Sequence, residues 1–191
     1  MKLYLLTIGI AGAVISAINI AFGTASWYYI VIAVIWCAVL QVAFDGSIAL
    51  IINKMSDKHF PIDHPFYRVS KKERKLYKKL KVRLWKDKVW ELGWLGGFSK
   101  KKVREPNNPQ YIERFIIECH KGVLTHRLSY PVGFLAMLTL PNLCALTVAL
   151  PVAVVNLFLN ILPTLALRYN TPTLITVLER LRKKEKVKLH I

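Results

Sequence analysis

Glu118, Gly122 and His126 stand four residues apart in a stretch with helical periodicity, which puts all three on one face with a glycine leaving space between the two ionisable groups. His126 sits where basic sequence gives way to an apolar block, and Tyr130-Pro131 follows. An imidazole at such a boundary can take the proton of an alcohol or thiol at the depth of lipid headgroups. Eight residues of helix rise about 12 Å, so Glu118 would act with His126 only through a substrate or a residue on another element. A plainer reading, which periodicity alone favours, pairs Glu118 with a basic neighbour and makes His126 an interfacial anchor.

Other groups of possible chemical use are spread along the chain. Asp57 lies within Asn53–Phe60, flanked by cations. The basic run Lys71–Lys88 can bind anionic headgroups, phosphate or a pantetheine-nucleotide donor, or can serve only orientation and adhesion. Arg168-Tyr169-Asn170-Thr171-Pro172 reads as the cytoplasmic end of a span, with Arg and Tyr as anchors and Asn170 before Thr-Pro as a cap and turn. Asn142, Asn156 and Asn160 lie in an apolar block, the last two on one helical face. An unpaired amide in hydrocarbon costs several kcal/mol, so these side chains are expected to face protein. Asp45, late in the second apolar run, is either paired near the headgroups or a membrane-facing acid at the site.

The elements that must position these groups follow from charge and hydropathy. Residues 3–52 and 128–167 are almost free of charge, whereas residues 54–127 carry 20 Lys/Arg against 8 Asp/Glu, out of 28 and 11 in the 191-residue chain. Continuous apolar runs, rather than alternation at soluble periods, argue for lipid as solvent. Basic sequence beside spans is what the positive-inside bias produces, so the net charge of +17 is assigned to the membrane face and not to nucleic acid. Cys37, Cys119 and Cys144 are too few and too dispersed for a disulfide framework or a zinc site, and no metal is expected.

The run Leu3–Phe22 suffices to cross a bilayer and is expected to be retained rather than cleaved as a leader. Gly23–Ser26 turns, Trp27, Tyr28 and Tyr29 form an interfacial cluster, and a second span runs from Ile30 to about Ile52. An irregular connection over residues 54–75 precedes a basic amphipathic helix from Lys71 to Trp94 that carries Leu76, Leu80, Leu84, Trp85 and Trp90 and is stopped by Gly93, Gly96 and Gly97. Pro106–Pro109 is a loop, and Gln110–Arg127 a helix with Ile112, Phe115, Ile116, Cys119 and Val123 on its apolar face. The last block suits a hairpin broken at Pro141-Asn142 or near Pro151; the first choice would leave residues 128–140 re-entrant or half-crossing.

The fold class is therefore all-α integral membrane, with two transmembrane helical hairpins flanking a basic, amphipathic-helical interfacial region. The divisions are residues 1–53, 54–127, 128–168 and a basic tail, 169–191. Both termini and the basic loop are cytoplasmic, and the protein is multi-pass.

Several segments carry a resemblance when taken in order: Asn53 with Ser56-Asp57-Lys58-His59-Phe60, Trp85-Lys86-Asp87-Lys88, Phe98-Ser99-Lys100-Lys101, Tyr111–Glu118 with His126, and Arg168–Leu174. Over about residues 45–182 the chain resembles the glycosyl-4,4'-diaponeurosporenoate acyltransferase family of bacterial membrane proteins. The resemblance implies transfer of a fatty acyl group to a sugar hydroxyl on a membrane-embedded lipid, in staphyloxanthin-type carotenoid synthesis at the bacterial cell membrane. No cofactor is implied; acyl-CoA or acyl-carrier protein enters as substrate. On matching positions it points to Asp57, Trp85, Lys86, Glu118, His126, Arg168, Tyr169 and Asn170. Val123, Thr171 and Thr173 depart from the more polar or basic residues of the family.

The resulting reading makes His126 the base, with Glu118 or Asp57 orienting it or positioning substrate. Trp85, Lys86, Arg168, Tyr169 and Asn170 would bind substrate, with Arg168, Asn170 or Lys86 holding the donor or stabilising an oxyanion. The alternative is a non-catalytic module that binds anionic lipid or a protein partner through Lys71–Lys88. An ion pathway ranks below both, because the spans offer only Asp45 as an ionisable residue.

Overall fold

Helices dominate the computed structural model, which describes residues 2–89, 98–100 and 102–189. The elements are α1 (Lys2–Ala21), α2 (Trp27–Lys54), α3 (Lys71–Lys79), α4 (Val82–Trp85), α5 (Pro109–Val132), the short α6 (Asn142–Cys144) and α7 (Leu150–Leu189). Short 3-10 turns lie between them, and no strand occurs among the described residues. Two helical stretches, Trp27–Lys54 and Asn142–Val187, are long and apolar enough to cross a membrane. The chain divides into one unit of Met1–Ile51 with Thr125–Ile161 and another of Ile52–Leu124 with Leu162–Ile191; α2, α5 and α7 contribute residues to both.

In the first unit α1 ends where Gly23 takes a left-handed φ of 62°. The amides of Gly23 and Thr24 then return to the carbonyls of Ile20 and Asn19, which closes the helix. Trp27, Tyr28 and Tyr29, expected to precede the second span, form the first turn of α2. The core packs Ile15 of α1 and Ala33, Val34 and Cys37 of α2 against Ala136, Val148 and Val152. Buried Asn19 donates to Ile15 O (2.9 Å) and to Thr147 O (2.8 Å) in a π-helical turn, Ala145–Ala149. Residues 128–140 consist of the end of α5 and a 3-10 segment, Gly133–Thr139, and the chain reverses at extended Leu140 and Pro141. Of the two sites considered for the break, it is thus Pro141-Asn142. Asn142, expected to face protein, is exposed because it opens the helical turn that follows Pro141.

The second unit departs from the sequence reading in three places. The single helix expected from Lys71 to Trp94 breaks at Lys81, whose φ of 50° and ψ of 38° are left-handed. That conformation costs a non-glycine residue roughly 1–2 kcal/mol. The strain is opposed by Trp85, whose indole donates to the Leu80 carbonyl (3.0 Å), and by burial of Tyr77 and Val82 in a common core with Val69. Trp90, Trp94 and the stop glycines Gly93, Gly96 and Gly97 lie outside the described residues. At the far end, Arg168–Pro172 does not close a helix: α7 continues through Pro163 and Pro172. Packing of buried Leu167, Thr171, Leu174 and Leu178 overrides the proline signal, and Thr171 bonds back to Leu167 O (2.9 Å). Lastly, the space beside Gly122 is filled by Leu167: a Cβ built at Gly122 would lie 2.7 Å from Leu167 Cδ1. The glycine serves close helix packing, not separation of Glu118 from His126.

Arg168 ties this unit together. Its guanidinium meets both oxygens of Glu73 (2.5 and 2.8 Å) and the carbonyls of Phe66 (3.1 Å) and Arg68 (3.0 Å). Glu73 also closes the capping box with Ser70 at the start of α3 and accepts from the Tyr77 hydroxyl. Burial alone would raise the Glu73 pKa, but hydrogen bonds from Arg168 and Tyr77 and the Arg168 charge hold it below the ordinary glutamate value.

Because the folded carboxyl titrates below the unfolded one, its contribution to stability is complete above about pH 4.5 and is lost as the pH falls through the folded pKa. Glu73→Gln is expected to lower the thermal midpoint of detergent-solubilised protein at pH 7, with the gap to the wild type closing as the pH falls below about 4.5. Arg168→Met, which leaves the half-buried Glu73 carboxylate without its guanidinium, should lower the melting midpoint more than Glu73→Gln does. Gly122→Ala should destabilise by about 1–3 kcal/mol through overpacking, and adding Leu167→Ala should recover part of the loss in the same melting assay.

Candidate active site

In the first unit, polar side chains of α2, α5 and α7 join in a single string. Gln41 of α2 donates to Gly133 O (2.5 Å) and accepts from Asn156 of α7 (2.9 Å). One turn further along α7, Asn160 donates through Nδ2 to Asn156 O (3.1 Å) and Oδ1 (3.2 Å) and to Asp45 Oδ2 (3.1 Å). Asn160 Oδ1 faces Nδ1 of His126 at 2.7 Å. Gln41, Asn156 and Asn160 are each buried to about 95 % or more. Asp45 Oδ1 is buried without a hydrogen-bond partner. Gly133 admits no larger residue without disturbance, since a Cβ would lie 2.8 Å from Gln41 Oε1.

The same unit holds an apolar cavity of about 430 Å³ walled by Ile8, Gly12, Val34, Ala38, Val152 and Leu159, with Gln41 and Asn156 on its surface. Two members of the polar string are thus also cavity walls. Such a site combines a greasy slot with a few fixed polar groups, the usual constitution of a lipid or small-molecule site.

The second unit assembles two further groups. Trp85, Lys86 and Tyr169 collect around Tyr77: Tyr169 meets Tyr77 edge-on at 6.3 Å, and the Lys86 ammonium lies 5.9 Å from the Tyr169 ring centre. Trp85 and Tyr169 pack on the Val69–Tyr77–Val82 core. Arg168 belongs to this region through Glu73, and Asn170 follows half-buried on α7. Four of the predicted substrate-binding residues are therefore neighbours, although Arg168 commits its donors to Glu73 and two backbone carbonyls.

The other group centres on Lys121, which reaches Asp57 (2.5 Å) and Glu118 (3.7 Å) and lies 5.6 Å from the Phe60 ring centre. Lys100 approaches Glu118 at 3.6 Å. Asp57 and Glu118 are thus brought together by a shared lysine, while His126 has its amide partner in the first unit. A hollow of about 560 Å³ next to Asp57 is lined also by Lys58, Asp63, Glu113 and Arg182.

Three residues absent from the sequence-derived site stand out. Asn160 partners His126 across 34 positions of sequence; its spacing from Asn156 was visible, its partner was not. Glu73 partners Arg168, and the Ser70-x-x-Glu73 capping signature was the available signal. His120 is fully buried and stacked on Tyr67 at 4.0 Å and 6°. Burial pushes its pKa down to about 4, with the Arg168 and His64 charges adding to the effect. The backbone of Phe60 and Pro61 opposes the shift without reaching hydrogen-bond geometry at either ring nitrogen.

Among the described residues no cluster of His, Cys, Asp or Glu has the arrangement of a metal site. Compared with known proteins, no curated sequence and no solved structure matches the chain. Residues 63–180 match the family described as Glycosyl-4,4'-diaponeurosporenoate acyltransferase, a span that includes His126, Asn160 and Arg168. As that match covers more than half of the chain, the protein belongs to the glycosyl-4,4'-diaponeurosporenoate acyltransferase family, whose description is of an acyltransferase of carotenoid biosynthesis.

Proposed function

We propose that the protein is an integral-membrane acyltransferase that moves a fatty acyl group from a thioester donor to a sugar hydroxyl of a glycosyl carotenoid at the cytoplasmic face. The observation that carries the reading is His126, a potential base held by a buried amide that is itself bonded to a carboxylate, in a unit that also contains an apolar cavity. In this reaction His126 takes the hydroxyl proton as the oxygen attacks the thioester carbonyl. The tetrahedral intermediate collapses, the C–S bond breaks, and the imidazolium returns the proton to the departing thiolate. Acyl-CoA or acyl-carrier protein supplies the acyl group, and the aliphatic chain lies among α1, α2 and α7.

Membrane residence is supported by the outward faces of the apolar helices. Leu5, Leu6, Ile10, Val14 and Ile18 of α1, and Ile32, Ile35, Val39 and Val42 of α2, are all exposed. Soluble proteins do not present contiguous apolar surface of that kind without a use for it. In the basic region Leu76, Leu80 and Leu84 are exposed among lysines, the pattern of a segment seated on an anionic surface. The charge bias supports the reading of that surface as the cytoplasmic leaflet, with a multi-pass topology and both termini cytoplasmic. Within the second unit, Trp85, Lys86 and Tyr169 form a cationic and aromatic group of the kind that binds an anion, and Asp57 and Glu118 are held by Lys121.

His126→Ala is expected to lower ester formation on glycosyl-4,4'-diaponeurosporenoate by roughly 10²–10⁴-fold in membranes supplied with a long-chain acyl-CoA, with the protein retained in the membrane fraction. Full activity in that variant would remove the assigned base. Lys86→Ala should raise KM for the acyl donor and leave kcat nearly unchanged. Extraction of the wild-type protein by alkaline carbonate would overturn the membrane reading.

A further inference from the structure

We propose that Asn160 and Asp45 are positioning residues that fix His126 in the tautomer carrying its proton on Nδ1, so that the lone pair needed by a general base resides on Nε2. The inference rests on the reading of His126 as the base, and it concerns how that base is prepared.

The orientation of the Asn160 amide decides the matter. Its Nδ2 is surrounded by Asn156 O, Asn156 Oδ1 and Asp45 Oδ2, all within 3.1–3.2 Å. A backbone carbonyl and a carboxylate oxygen only accept, so turning the amide over would set oxygen against oxygen at both. The amide oxygen therefore faces His126, at 2.7 Å from Nδ1. An amide oxygen cannot donate, so Nδ1 must. The neutral ring then keeps its lone pair on Nε2, the arrangement a base needs when its other nitrogen is held by a fixed acceptor.

Asp45 does more than hold the amide. One of its carboxylate oxygens accepts from Asn160, and the other is buried with no hydrogen-bond partner. When His126 takes a proton the ring becomes cationic, and the carboxylate, coupled to it through the polarisable Asn160 amide, stabilises that charge. The interaction is stronger in the transition state than in the resting enzyme, which is the condition for it to raise kcat. The remainder of the string keeps the amide in place: Asn156 is fixed by Gln41, and Gln41 by the carbonyl of Gly133. Asp45 and Gln41 lie outside the residues matched by the family, so the arrangement is read from this structure alone.

The test is steady-state acyl transfer from a long-chain acyl-CoA to glycosyl-4,4'-diaponeurosporenoate in membranes containing Asn160→Leu, Asp45→Asn, His126→Ala or the pair Asn160→Leu/His126→Ala. Asn160→Leu should lower kcat about 100-fold, with KM within about twofold of the wild type. Asp45→Asn, which can still accept from the amide but lacks the charge, should lower kcat about 10-fold. Adding Asn160→Leu to His126→Ala should cause no further loss, because both changes act through the same imidazole.

Multiplicative losses in the double variant would overturn the proposal, as would wild-type kcat in Asn160→Leu and Asp45→Asn beside a crippled His126→Ala; in the latter case the base assignment survives and only the positioning fails. A fully active His126→Ala would remove the base and the positioning together. The near-isosteric Asp45→Asn keeps the question answerable if Asn160→Leu does not fold.

Discussion

A polar side chain buried among apolar ones has to find a partner within the protein, and that constraint organises the first unit. Each hydrogen bond between apolar helices is worth only about 0.6–2 kcal/mol net, whereas an unmet amide costs several. The string Gly133–Gln41–Asn156–Asn160–His126 persists because breaking it anywhere strands a buried group. Its spacing is set by main-chain geometry: Asn156 and Asn160 are one helical turn apart, and Gly133 lets Gln41 approach its carbonyl where any side chain would obstruct it. Under the proposed function, the precision with which His126 is held derives from this avoidance of loss.

The second unit faces the opposite difficulty, an excess of cations in a small volume. It resolves this by giving the most buried cations several partners each. Arg168 is shared among Glu73, Phe66 and Arg68, and Lys121 between Asp57 and Glu118. Removing water from such groups is expensive, and replacing the water with fixed carbonyls and carboxylates limits the number of compatible arrangements. The same packing draws Trp85 and Tyr169 onto Tyr77 and brings Lys86 over the Tyr169 ring. The left-handed Lys81 is a local cost of that convergence, because a continuous helix would not return the Trp85 indole to Leu80.

Helical character and the apolar face of α5 were legible in the sequence because they depend on local periodicity. Ile112, Phe115, Ile116, Cys119 and Val123 are all buried as expected, and so are Asn156 and Asn160. The break at Lys81 and the passage of α7 through Pro172 were not legible, because both are imposed by contacts among residues distant in sequence. The same is true of pairings: Glu118 and His126 share a helix, yet Glu118 has Lys100 and Lys121 as partners and His126 has Asn160. Periodicity reports which face a residue lies on and carries no information about which other helix meets that face.

The second helix contributes polar contacts that its apolar composition does not announce. The family match begins at residue 63, after α1 and α2 have ended, yet α2 supplies Gln41 and Asp45 to the string that holds His126. Gln41 braces Asn156 from one side, and Asp45 draws the Asn160 amide toward the other. An apolar residue at either position would avoid the cost of burying an amide or a carboxylate among apolar side chains. Under the proposed function, Gln41 and Asp45 make α2 a support for Asn156 and Asn160, and through Asn160 for His126.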